Sequence, residues 1–303
     1  MRAVALHADV LVATSAVLGV NCVLVRGDSP QTEPAGAGGA GGEPDRTSAV
    51  GSGPGASAAS GGVAAGSAVG ETFVIDSPIL PDELDALPAL VEQARFPAPA
   101  ALLATHGDWD HLLGRLAFPD LVLGCAPSTL ARLQAAPGAA QRELRAFDEQ
   151  LLIERPRPLA LGALQALPVP GRCALGNREL ELHPARGHTD DGMAVLASWA
   201  GVLVAGDYLS AVALPELRGP GSLDEYLSTL DRLHGLLASC EHVVPGHGPL
   251  LDAPSAAAIL AEDVEYLQAL SQLGARAQLP SGRRGALQRR VHDQNVARAR
   301  SPR

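Results

Sequence analysis

Between Thr105 and His111 the chain sets two imidazoles and two carboxylates side by side: His106, Asp108, Asp110 and His111. They follow directly on the apolar run Ala101-Leu102-Leu103-Ala104. A buried strand that runs out into them would deliver all four side chains to one point at a sheet edge. Imidazole and carboxylate together suit zinc, iron or manganese. The spacing mixes alternation with adjacency. His106, Asp108 and Asp110 share a parity, while His111 follows at once and can face a second ion. The pattern predicts a two-metal site whose remaining ligands come from elsewhere in the chain.

The same arrangement recurs three times, with an apolar strand, a glycine and then a metal-capable residue: His188 in Gly187-His188-Thr189, Asp207 after Gly206, and His247 in Pro245-Gly246-His247-Gly248. Each alone is weak. In this order, each after an apolar run, they form a set. Asp190 and Asp191 either orient His188 through its other ring nitrogen or simply form a turn. Trp109 and Tyr208 are candidates to line a substrate pocket, and both read equally as packing residues. Ser210 could touch substrate as well. His183 reads as a strand-end residue, and His7, His234, His242 and His292 as structural or surface groups.

Such a site needs strands that end together. Residues 8–27 read as a strand, a turn near 15–19 and a second strand from Asn21. From about 28 to 70 the composition changes to Gly, Ala, Ser and Pro with almost no large apolar side chain. That stretch cannot bury enough surface to offset its chain entropy, so a disordered insertion within one hairpin is expected, the hairpin resuming at 72–76. A helix is predicted from Pro81 to about Arg95, with Pro88 expected to kink or restart it. Further helices are expected from Asp110, after an N-cap at Ser128, and over 141–150. The Pro-rich stretches 155–158 and 167–170 could roof a site or merely connect elements. Ser222 with Glu225 reads as a capping box for a helix to Leu237, and a helix over 254–273 is expected to stop at Gly274. The expected organisation is one domain over 1–275, followed by a helix and tail over 276–303.

With 303 residues, 47% hydrophobic and 18% charged, the chain has the make-up of a soluble globular enzyme. Its formal net charge of −10 argues against a nucleic-acid-binding surface, which needs a basic face. Cys22, Cys125, Cys173 and Cys240 are far apart and form no CxxC pair, as in a protein of a reducing compartment, so a cytoplasmic location is expected. The apolar run 8–25 is interrupted by Asp9 and Asn21 and reads as strands, with no membrane partner expected.

Taken together, the His106/Asp108/Asp110/His111 set, His188, Asp207 and His247 resemble the metallo-β-lactamase superfamily of metallohydrolases, whose pattern is HxHxDH, then a His, an Asp and a final His. The resemblance covers about residues 8–275 apart from the insertion. It implies an α/β fold, a four-layer αββα sandwich with metal along one sheet edge. It also implies that His106, Asp108 and His188 hold a first ion, that Asp110, His111 and His247 hold a second, and that Asp207 bridges them. Asp76 resembles the family's strand-end Asp that braces the site. Here Asp108 stands where the family has a second His. Three carboxylates and a hydroxide would balance two divalent ions, where a His would leave one net positive charge. A weaker Lewis acid and a shift toward harder ions are therefore expected.

The resulting expectation is a metallohydrolase in which a hydroxide on one of two divalent ions cleaves a small ester, thioester or lactone. Zinc comes first, with manganese or iron as alternatives, and Asp110 or Asp207 would handle the proton. Within the family the resemblance leans to the glyoxalase II-like branch, through PGHG and the helix before it. Two alternatives stay open: a mononuclear iron thiol or persulfide oxygenase on the same fold, and a non-catalytic metal-binding member.

Overall fold

The computed structural model describes residues 1–28, 70–219 and 221–299. Among these described residues, thirteen strands and seven α-helices are set in chain order. The strands β1 (Arg2–His7), β2 (Val10–Thr14), β3 (Asn21–Gly27) and β4 (Glu71–Ile75) lead into helix α1 (Pro81–Gln93). β5 (Pro99–Leu103), α2 (Gly114–Ala117), β6 (Val122–Cys125), α3 (Pro127–Ala135), α4 (Ala139–Leu151) and β7 (Leu164–Ala166) complete the first half. The second half runs β8 (Gly171–Leu175), β9 (Arg178–Pro184), β10 (Met193–Ala197), β11 (Val202–Gly206) and α5 (Leu223–Leu237). It closes with β12 (His242–Pro245), β13 (Leu251–Asp252), α6 (Ala253–Leu273) and α7 (Ala286–Ala299). One sheet has the order β1-β2-β3-β4-β5-β6-β7, the other β13-β12-β11-β10-β9-β8.

Side-chain parity explains why the layers form. On β3, Val23 and Val25 point one way and Cys22 and Leu24 the other, as a period of two requires. The first pair meets Ile75, Leu103, Leu182, Val195 and Val204 in a core between the sheets. The second pair meets Leu84, Leu87 and Val91 of α1 outside the first sheet. On β10 and β11, Leu196 and Leu203 likewise turn outward to Leu230 and Leu233 of α5 and Leu260 and Leu267 of α6. Strands covered on both faces must read as continuous apolar runs, and these do. The result is the expected αββα sandwich.

Several local expectations are corrected. β1 and the short strands β7 and β8 add edges that the apolar pattern does not announce, because their side chains are mostly exposed or half-buried. α1 passes through Pro88 without a break. Ser128 lies inside the first turn of α3, whose N-cap is Ala126 with Pro127 at the first helical position. Asp110 sits in a single 3-10 turn, Trp109–His111, and α2 starts only at Gly114. The expected insertion lies outside the described residues, as does the tail from 300.

Candidate metal centre

Every ligand candidate lies just beyond the end of a strand. β4 ends at Ile75 and runs straight into Asp76, which takes a left-handed φ of 57° and is 3% exposed. Its Oδ1 accepts the Thr105 backbone N–H at 2.8 Å, clamping the start of the His106–His111 loop to the strand beside it. β9 and β10 are joined through His188. Gly187 has a φ of 126°, and a Cβ there would meet the backbone nitrogen of Tyr226 at 2.2 Å, so only glycine lets this loop close onto α5. β11 ends at Gly206 and presents Asp207, and β12 ends at Pro245 and presents His247. Asn21 of β3 donates through its Nδ2 to the carbonyls of Pro245 at 2.8 Å and Gly248 at 3.0 Å, which ties this last loop to the first sheet.

The structure brings all seven predicted ligand residues together. His106, Asp108 and His188 have one donor atom each within 4.8 Å of the others, and so do Asp110, His111 and His247. Asp207 lies between the two groups. Its Oδ1 is 3.2 Å from His111 Nε2, and its Oδ2 is 3.4 Å from both His188 Nε2 and His247 Nε2. Each imidazole is held from behind by its Nδ1. His111 faces Asp76 Oδ2 at 2.9 Å, His188 the Glu216 carbonyl at 2.8 Å, His247 the Leu18 carbonyl at 3.1 Å, and His106 the Thr105 hydroxyl at 3.2 Å. That bracing leaves every Nε2 facing inward. Within the cluster, Nε2 of His106, His111 and His188 and Oδ1 of Asp110 and Asp207 are buried without a hydrogen-bond partner. Polar atoms desolvated at this cost and aimed at one another fit divalent metal, which supplies the missing partner.

Electrostatics agree. Burial favours neutral imidazole at His111, but the carboxylates of Asp76, Asp207 and Asp110 together outweigh it and hold the ring well above its ordinary value. Burial likewise opposes ionisation of Asp207, and His247 and His111 overcome it, so this carboxyl lies well below the usual range. His111 and Asp207 thus favour opposite charges before any ion enters.

Two arginines were not expected. Arg132 Nη2 donates to Asp108 Oδ1 at 2.6 Å and Arg218 Nη1 to Asp108 Oδ2 at 2.7 Å. The same Arg132 donates through Nη1 to Asp191 Oδ1 at 2.7 Å, and Asp191 Oδ2 accepts the Gly107 N–H at 2.9 Å. The charge balance drawn from the ligands alone is therefore corrected: the carboxylate at 108 comes with two guanidiniums beside it. Asp191 does not orient His188, whose Nδ1 goes to Glu216; it anchors the first loop and Arg132 instead.

The other candidates join neither ligand group, although Ser210 lines the cavity beside the centre. Trp109 is 7% exposed and packs its ring on Phe147 at 4.6 Å. Tyr208 is 3% exposed and stacks on Tyr226, its hydroxyl accepting the His188 backbone N–H at 3.1 Å. Both are packing residues, and Tyr208 also positions the His188 loop. His183 faces Glu181 at 3.8 Å on β9 and joins neither ligand group. Ser210 donates to the His247 carbonyl at 2.8 Å. The Pro-rich segment at 155–158 does not roof the centre: Arg155 pairs with Asp148 at 2.7 Å and lines a separate groove along α4. The cavity that opens on the centre, about 600 Å³, is walled by the 210–218 loop and α7 instead.

This fold and site define the metallo-β-lactamase class of architecture, and comparison with solved structures shows it directly. A β-lactamase domain protein from Burkholderia ambifaria superposes with a TM-score of 0.58 at 16% identity, over 98% of this chain and 85% of that one. A metallo-β-lactamase family protein from Thermus thermophilus gives 0.56 at 19% identity over 89% and 84%, and a metallo-β-lactamase from Pontibacter korlensis 0.52 at 14% over 88% and 98%. No protein-family model matches the sequence, and no curated protein matches it. At these identities the likeness is one of fold.

Proposed function

We propose that the chain is a metal-dependent hydrolase of small esters, thioesters or lactones. The observation that carries this reading is the convergence of buried, unpartnered Nε2 and Oδ atoms at the strand ends, open to a cavity of about 600 Å³. His106, Asp108 and His188 would hold one ion, Asp110, His111 and His247 a second, with Asp207 shared between them. Bound divalent ions supply Lewis acidity and make water a nucleophile at neutral pH. The chain's own groups do the rest. Asp110 turns Oδ2 toward His247 Nε2 at 3.3 Å and keeps Oδ1 buried without a hydrogen-bond partner; the residue borders the cavity, and its carboxylate can take a proton from the attacking water and return it to the leaving group. Arg218 lines the same cavity and offsets the extra carboxylate at 108.

A second reading is favoured by one observation. Both oxygens of Asp108 are engaged by guanidiniums, so Arg132 and Arg218 can supply the positive charge of the first site and leave one ion at Asp110, His111, His247 and Asp207. A single iron would suit a thiol or persulfide oxygenase, whose chemistry uses one iron. The deciding experiment is metal analysis of the purified protein beside a panel of esters, thioesters and lactones and an oxygen electrode. About two ions per chain with hydrolysis supports the first reading. One iron with thiol-dependent oxygen uptake replaces it with the second, and metal-free folded protein inert to the panel removes both.

A further inference from the structure

Part of the cavity wall beside the ligand cluster is apolar and comes from elements outside the metal-ligand loops. Leu287 and Val291, one turn apart on α7, face the cavity together with Val212 and Leu214 of the 210–218 loop and Leu18. Among the described residues seven large hydrophobic side chains are exposed, and three of them line this one cavity: Leu18 at 48%, Val212 at 51% and Leu287 at 63%. Single exposed leucines need no explanation, but several around one concave site mark a place where apolar surface is to be covered.

α7 is held firmly enough to serve as such a wall. Gln288 Oε1 accepts the Leu214 N–H at 2.8 Å. Asn295 accepts the Leu217 N–H at 2.9 Å and donates to the Pro215 carbonyl at 2.7 Å. Ahead of the helix, Arg283 is 2% exposed, pairs with Asp263 at 2.5 Å and donates to the Ala213 carbonyl at 3.0 Å. The helix and the loop therefore form one preformed surface. The cavity is continuous from Asp110, His188, Asp207 and His247 to Leu287.

We infer that this surface binds the apolar acyl chain of the substrate, so that the carbonyl sits at the ligand cluster and the chain lies against Leu18, Val212 and Leu287. The inference rests on the hydrolase reading for the identity of the carbonyl group. The occupant is a straight acyl chain of a few carbons, because these three exposed side chains offer apolar contact and no hydrogen bond.

The test uses the metal-loaded full chain and titrates straight-chain carboxylates from acetate to octanoate by calorimetry, with the matching 4-nitrophenyl esters in parallel. Affinity is expected to rise about two- to fourfold per added methylene, as burial of apolar surface dictates. Leu287→Asp and Val212→Asp are expected to flatten that rise, with Leu287→Gln as the milder variant should the charge disturb the fold. A wild-type affinity independent of chain length, or an unchanged slope in all three variants, overturns the inference. Carboxylates that bind with the expected slope while no ester is cleaved leave this surface assigned and remove the hydrolase reading. Esters cleaved with neither affinity nor kcat/KM depending on chain length do the reverse.

Discussion

Asp108 is held at 2.6 Å by Arg132 and 2.7 Å by Arg218, while its Oδ2 stays 3.6 Å from His188 Nε2. The family-like residue at this position is therefore not a simple improvement. Asp108→His would set an imidazole against two guanidiniums, leaving Arg132 to Asp191 and Arg218 to the more distant Glu143, which costs stability as a charge loses its nearest partner. First-site metal is expected to fall in Asp108→His and to recover in Asp108→His combined with Arg218→Met, read as ions per chain by elemental analysis. Equal metal in wild type and the single variant would sink the idea. The imidazoles make a second prediction. In metal-free protein, burial works against protonation of His247, and Asp207 and Asp110 overcome it to hold the ring well above its usual value, as they do with Asp76 for His111. A folded pKa above the unfolded value of about 6.5 contributes stability that is complete below that pH and lost as pH rises through the folded value. The melting temperature of metal-free protein should thus fall as pH rises above about 6.5, while added metal, which competes with those protons, should stabilise more as pH rises. A metal-free melting temperature that climbs over the same range contradicts this account.

Among the elements, α7 does the least expected work. Asn295 satisfies the Leu217 N–H and the Pro215 carbonyl, and the next residue of that loop, Glu216, offers its carbonyl to His188 Nδ1. Asn295→Ala leaves those two backbone groups without their partners, at about 1–3 kcal/mol, and releases the carbonyl that aims His188. Melting temperature is expected to drop by a few degrees, and metal affinity to weaken more than in Leu287→Ala, which removes only a half-covered side chain. If the two variants bind metal alike, the loop does not depend on Asn295. These contacts also show what sequence reading can reach. The ligand candidates at 106–111, 207 and 247 are legible because each follows an apolar strand, and His188 because a glycine turn follows the alternating strand β9, all local signals. Arg132, Arg218, Asn21 and Asn295 are not, because each acts on a partner far away in sequence and sits in a stretch with no pattern of its own. Trp109 and Tyr208 read two ways for a related reason: adjacency to a ligand candidate places a side chain near the site, but parity and packing decide which way it turns.

For the whole molecule, the apolar runs announced the inner strands, while the two-sheet sandwich itself was implied only by the resemblance that the His and Asp set carried. The edge strands were not announced, because half-exposed strands such as β1 carry mixed sequence. β3 starts at Asn21, bonded to the His247 loop, and ends at Gly27 opposite Glu71. The metal centre thus lies at one end of this strand and the 29–69 segment joins at the other. Joining Asp28 to Gly70 by a two-residue turn is expected to keep metal content and change the melting temperature by only a few degrees, since a β3–β4 hairpin already pairs up to that point. Loss of metal in that shortened chain would show that the segment reaches the centre. No described helix is long and apolar enough to cross a membrane.

The link between Asn295 and the His188 loop has a consequence for how the protein is made. On the ribosome the seven ligand residues emerge in order from His106 to His247, and the residue that secures the carbonyl behind His188 comes only afterwards. A nascent chain that has released all its ligands still lacks the clasp on one of them. If the cluster holds metal as proposed, capture at the first site is expected to be weaker until α7 has been made, and a chain truncated before that helix is expected to bind less metal there.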